Sequence, residues 1–120
     1  MLGLRTTCYM VSNLNEAKTW YAKAFDKKPY FDEPFYVGFN IGGYELGLLP
    51  ETEPQGLKTD NVLAYWGVTD IHSTYKHLLS LGANEHESPN NVGGELMVAT
   101  VRDPWDNVVG IIYNPYFKLD

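Results

Sequence analysis

The pattern of polar and apolar positions opens on "LRTTCYMV" (4–11), a strand-like segment. A helical period follows. In "SNLNEAKTWYAKAF" (12–25), Leu14, Ala17, Tyr21 and then Ala24 or Phe25 recur at three- and four-residue steps, which predicts a helix. Asn13 stands where an N-cap is needed, with Glu16 three residues on as in a capping box. "KPYF" reads as a short strand, and "FYVGFNI" and "YELGLLP" read as two longer ones. Between the longer two, Gly42-Gly43 predicts a two-residue hairpin turn. The stretch 50–61, "PETEPQGLKTDN", has the composition of a turn and linker.

The same order then recurs. "NVLAYWGV" (61–68) predicts a strand, and "TDIHSTYKHLLSLG" a helix capped by Asp70, with Ile71, Tyr75, Leu78 and Leu79 on one face and Gly82 past its end. "ANEHESPNNVGG" reads as a short strand and loop. "ELMVATVR" and "NVVGIIY" follow as strands joined through "DPWDN". "VSNLNEA" (11–17) matches "VTDIHST" (68–74), and "ELGLLP" is similar to "VVGIIY". Each half is therefore β-α-β-β-β. The expected organisation is a single domain over 1–120, with module one at 1–49, a linker at 50–60 and module two at 61–116. Two copies of one unit predict an α+β fold in which two half-sheets pair into a curved, barrel-like mixed sheet with the helices outside.

The hairpin assigns faces. With Gly42-Gly43 at the turn, Ile41 lies opposite Tyr44, Phe39 opposite Leu46 and Val37 opposite Leu48, and cross-strand partners share a side. That side is apolar but for one phenol and should lie under a helix. The other side carries Tyr36, Gly38, Asn40, Glu45, Gly47 and Leu49, a mixture of small residues and polar tips that suits a pocket wall.

Composition narrows the function. Aromatic residues make up 14% of the chain, which suits such a lining. The formal net charge of −6 argues against a nucleic-acid partner. No apolar run reaches the ~18 residues of a membrane span, and the N-terminus lacks a signal-peptide pattern. The one cysteine, Cys8, has no partner for an internal disulfide and is expected to be a small buried hydrophobe. The expected location is cytoplasmic.

The paired order of elements, the passage "VSNLNEAKTWYAKAF" and the ending "RDPWDNVVGIIY" together resemble the vicinal-oxygen-chelate superfamily, the glyoxalase, bleomycin-resistance and extradiol dioxygenase group. Asp106 stands where the similar "DP-x-G-N" turn of that family has glycine. The resemblance implies paired modules around a small-molecule cleft. Its members include metal-dependent lyases, isomerases, dioxygenases and thiol transferases, and also metal-free proteins that sequester drugs. In the metal enzymes, His, Glu or Gln on the first and fourth strands of each module hold the cation. Carried onto this chain, those positions fall at Thr6, Gly47, Leu63 and Gly110. Three offer no side-chain donor and a threonine hydroxyl is a weak ligand, so no metal or other cofactor is expected. The two glycines are expected to leave open space, and His72, His77 and His86 are expected at the surface.

The leading expectation is a metal-free protein that sequesters or senses a small apolar or aromatic ligand through Met10, Tyr36, Asn40, Glu45, Tyr65 and Trp105. An alternative is a glyoxalase-like lyase or dioxygenase-type enzyme with a non-standard or metal-free site, for which Glu45 is the one acid placed on the pocket face as a base. No other catalytic residue is assigned. A third is a dimeric regulatory or interaction module. A homodimer is compatible with all three.

Overall fold

The computed structural model describes residues 1–53, 57–58 and 62–119. The chain forms two compact units, Met1–Leu57 and Lys58–Asp120. The linker expected over 50–60 falls partly outside the described residues, at 54–56 and 59–60, as does Asn61, where a strand was expected to begin.

The first unit contains β1 (Thr6–Val11), α1 (Leu14–Phe25), β2 (Phe31–Glu33), β3 (Tyr36–Ile41) and β4 (Tyr44–Pro50). Its sheet runs β1-β4-β3-β2, with β1 parallel to β4 and the other pairs antiparallel. Asn13 caps α1 as expected: its side-chain oxygen accepts the Glu16 N–H at 3.1 Å. The helix ends where Asp26 turns left-handed, at φ 52°, and its N–H reaches the Ala22 carbonyl. The Gly42-Gly43 turn has φ of 61° and 93°. Positive φ at both central positions is what a type I′ hairpin demands and what glycine supplies freely. That turn fixes the register of β3 on β4 at Ile41–Tyr44, Phe39–Leu46 and Val37–Leu48, as the alternation predicted. Phe39, Leu46 and Leu48 are completely buried, together with Ala17 and Tyr21 of α1. Tyr21 stacks on Tyr9 at 5.7 Å between ring centres, which pins the helix to β1.

The second unit repeats the pattern with β5 (Tyr65–Gly67), α2 (Ile71–Ser80), β6 (Asn84–Gly93), β7 (Leu96–Arg102) and β8 (Val108–Tyr113), in the order β5-β8-β7-β6. Asp70 caps α2 by accepting the Ser73 N–H at 3.1 Å, and this bond holds its carboxyl below the usual range. Ala99, Val101, Val109 and Ile111 form the buried side of the sheet, which takes α2 through Ile71, Tyr75 and Leu78. The segment expected as a short strand and loop is instead a ten-residue strand, β6. Its polar sequence hid it. As an edge strand it stays largely exposed, tolerates Pro89 and shifts register three times against β7. The DPWDN turn closes on Asp103, which is 1% exposed. Its carboxylate accepts the Trp105 N–H at 2.9 Å, the Asn107 N–H at 2.7 Å and the Asn107 amide at 3.0 Å. Among the described residues no helix is long and apolar enough to cross a membrane.

Candidate functional site

The face of the first sheet turned away from α1 is where chemistry collects. Register alone defines it. Thr6 lies beside Glu45, Cys8 beside Gly47 and Met10 beside Leu49, while Gly38 and Asn40 pair with Gly47 and Glu45. β2 adds Phe31 opposite Gly38 and Glu33 opposite Tyr36.

The centre of this face is one carboxylate between two phenols. The Tyr30 hydroxyl donates to Oε1 of Glu45, and the Tyr36 hydroxyl donates to Oε2. Glycines make this possible. A Cβ at Gly47 would overlap the Tyr36 hydroxyl and stand 2.7 Å from its ring carbon Cζ. A Cβ at Gly38 would press on both rings, at 3.2 Å from Tyr30 and from Tyr36. Phe31 extends the aromatic surface, with its ring centre 6.0 Å from that of Tyr36 and 6.0 Å from that of Phe35. Cys8 is exposed on this face rather than buried, because β1 turns Tyr9 and Val11 inward and Cys8 alternates with them.

Burial raises the Tyr36 pKa above 10.0, and the neighbouring Cys8 thiol raises it further. Burial does the same for Tyr75, with Glu85 adding to it. A raised phenol binds its proton more tightly in the folded state, so its contribution to stability is complete below pH 10 and lost as pH rises through the folded value. We expect urea midpoints to fall above that pH, and to fall less steeply in Tyr36→Phe and Tyr75→Phe. An equally steep alkaline fall in both variants would remove these two groups as its cause.

The second unit carries its own counterpart. Tyr65 pairs with Gly110, and a Cβ at Gly110 would stand 2.8 Å from the Tyr65 ring and 2.6 Å from the Ala64 carbonyl oxygen. Thr100, opposite Gly110, is 2% exposed and lies 2.7 Å from Nδ1 of His86. His86 is thus half-buried on the sheet rather than a plain surface residue, because the β6 irregularity between Glu85 and Glu87 turns it toward Thr100. His72 and His77 are exposed, as expected.

Of the residues singled out in the sequence, Tyr36 and Glu45 meet directly. Met10 is 43% exposed on the same face. Asn40 shares it too, but its side-chain oxygen accepts the Gly43 N–H at 2.8 Å and so serves the hairpin. Tyr65 covers Gly110. Trp105 belongs to the DPWDN turn, where its carbonyl takes Nζ of Lys58 at 2.7 Å. Sequence reasoning missed Tyr30, Phe31 and Glu33, so Glu45 is not the one acid on the face. The signal was there in part: pairing β2 with β3 places Phe31 and Glu33 by alternation, but a three-residue strand gives periodicity too little to fix that pairing.

The glycines at 47 and 110 do not leave open space either. Tyrosine rings fill it. At the positions that the family resemblance assigns to metal ligands, the first unit has Thr6 and Gly47, and the second has Leu63 and Gly110. One hydroxyl, an alkyl chain and two ring-covered glycines do not fit a divalent metal. Among the described residues, no group of three or more His, Cys, Asp or Glu gathers elsewhere.

Solved structures place this architecture among known ones. A glyoxalase-related enzyme from Fulvimarina pelagi superposes with a TM-score of 0.80 at 13% identity, covering 100% of this chain and 94% of its own. A glyoxalase/bleomycin resistance protein/dioxygenase family enzyme from Burkholderia phytofirmans PsJN gives 0.75 at 16% identity, over 90% of this chain and 95% of its own. The genomically encoded fosfomycin resistance protein FosX from Listeria monocytogenes gives 0.78 at 15% identity, over 97% of this chain and 96% of its own. At these identities the likeness is one of fold. No curated protein matches the chain in sequence. The family model for the Glyoxalase/Bleomycin resistance protein/Dioxygenase superfamily matches residues 3–111, and the chain belongs to that superfamily.

Proposed function

We propose that the open face of the first unit binds a small, largely apolar or aromatic molecule without a metal ion, and that the protein sequesters or senses that molecule. One observation carries this reading. Glu45 is held by Tyr30 and Tyr36 over two glycines, which is a prepared polar point inside an aromatic surface. Met10, opposite Leu49 further along the same face, adds a soft, adaptable apolar contact. Tyr65 and Trp105 of the second unit offer aromatic surface of their own. The residues at Thr6, Gly47, Leu63 and Gly110 offer a metal one weak hydroxyl ligand and no other side-chain donor, which supports a metal-free site. A cytoplasmic homodimer is the setting we propose for this activity.

Native mass spectrometry on protein purified gently from its own host, without chelators, tests the reading. The expected spectrum shows chains without a stoichiometric divalent ion and with an organic adduct. A divalent ion bound stoichiometrically would overturn the metal-free part. The charge-state series reports dimer or monomer in the same measurement.

A further inference from the structure

We infer that the group recognised at Glu45 is a protonated amine carried on an aromatic or apolar body. This rests on the binding reading above and names the chemistry of that site. The argument is one of hydrogen-bond supply. A tyrosine hydroxyl has a single proton to donate, and both Tyr30 and Tyr36 donate theirs to Glu45. What the cluster still offers a ligand is acceptor capacity: the remaining lone pairs of the Glu45 carboxylate and those of the two phenol oxygens. A carboxylate or phosphate on the ligand would bring more acceptors, find no free proton on Tyr30, Tyr36 or Glu45, and face the Glu45 charge. An ammonium brings donors only and meets the acceptors the cluster has left, and the Thr6 hydroxyl beside Glu45 can accept from it as well.

Charge and aromatic geometry agree. On the strand positions of this face stand Glu33 and Glu45, and no lysine or arginine. The charged strand residue nearest in sequence to Glu33, Asp32, points to the opposite side, where it pairs with Lys18 of α1 at 3.0 Å. Two rings hold the carboxylate, Tyr30 and Tyr36, and Phe31 packs against Tyr36 with ring centres 6.0 Å apart. Aromatic faces attract a cation through their quadrupole, and they cover its apolar body. The chain's net charge of −6 draws cations toward the surface in general.

Three probes of similar size separate the possibilities: benzylammonium, neutral benzyl alcohol and anionic benzoate. Each is titrated into the full chain while amide NMR shifts of Cys8, Gly38, Glu45 and Gly47 are followed. We expect benzylammonium to move these signals and to bind about tenfold tighter than benzyl alcohol, since a charge-assisted bond is roughly twice as strong as a neutral one. Benzoate should be weakest. Glu45→Gln, nearly the same shape, should weaken benzylammonium about tenfold and leave benzyl alcohol within about twofold. If that variant does not fold, salt serves instead, because added salt weakens benzylammonium alone of the three probes. Benzyl alcohol or benzoate binding as tightly as benzylammonium at these residues would overturn the amine assignment and leave the binding reading standing. None of the three moving these signals would overturn the binding reading itself.

Discussion

Replacing Gly110 with alanine should destabilise the protein by about 3 kcal/mol, the upper range for a methyl forced into a filled space. The new Cβ would stand 2.6 Å from the Ala64 carbonyl oxygen, the same oxygen that takes the Gly110 N–H at 3.1 Å. A backbone carbonyl cannot rotate aside as a side chain can. β5 must therefore move off β8, and their ladder has only the Tyr65–Gly110, Trp66–Ile111 and Gly67–Ile112 pairs to hold it. A thermal melt should fall by roughly 10 °C or more. Gly47→Ala is the informative contrast. There the obstacle is the far end of Tyr36, which can swing away, so stability should drop by about 1 kcal/mol while the Tyr36–Glu45 bond is lost. Equal urea midpoints for Gly110→Ala and the parent protein would mean that β5 is not held where this contact requires.

Asp103→Ala should lower stability by about 3 kcal/mol, because it removes a buried charged acceptor and strands three donors at once. Those donors are the Trp105 N–H, the Asn107 N–H and the Asn107 amide. Asp103→Asn should do less harm. Its oxygen can still serve the two backbone N–H groups, but its NH₂ then faces the Asn107 NH₂. Hydrogen exchange at the Trp105 and Asn107 amides reads the effect directly: protection should collapse in the alanine variant and persist in part in the asparagine one. Unchanged protection in Asp103→Ala would show that the turn is held by its backbone bonds alone.

Much of this was legible in the sequence where local chemistry decides it. Asn13 and Asp70 announce both helices, because a short side-chain acceptor at that place meets an orphan N–H whatever the tertiary setting. Gly42-Gly43 fixes a hairpin, the hairpin fixes a register, and the register sorts Phe39 from Asn40. The repeat was readable for the same reason, since each module writes out the same N-cap and the same order of elements. Asp106 was a visible departure at a glycine position, and the structure shows why it is tolerated. It keeps the left-handed conformation at φ 69°, which aspartate enters more readily than most residues, and Arg102 binds its carbonyl at 3.0 Å. What stayed hidden depends on neighbours that are distant in sequence. β2 is too short to show a period, so Tyr30 could not be brought to Glu45 nor Phe31 to Tyr36. β6 has no apolar side to reveal it. The space above a glycine is invisible until one knows which ring lies there.

That last point bears on how this protein can change. At 47 and at 110 a small residue and a tyrosine are fitted to one another, so each constrains what the other can become. A carboxylate introduced at 47 meets the Tyr36 ring, and one introduced at 110 meets the Ala64 carbonyl oxygen and the Tyr65 ring, before either meets an ion. Removing the ring first leaves a hollow beside a glycine. At 47 each single step is unfavourable and only the double change makes room, so Gly47 and Tyr36 should behave non-additively; at 110 the Ala64 carbonyl oxygen still blocks a side chain after the Tyr65 ring is gone. A metal-binding relative of this chain is therefore several coupled substitutions away, and selection acting on one residue at a time would find the tyrosine-covered form easy to keep.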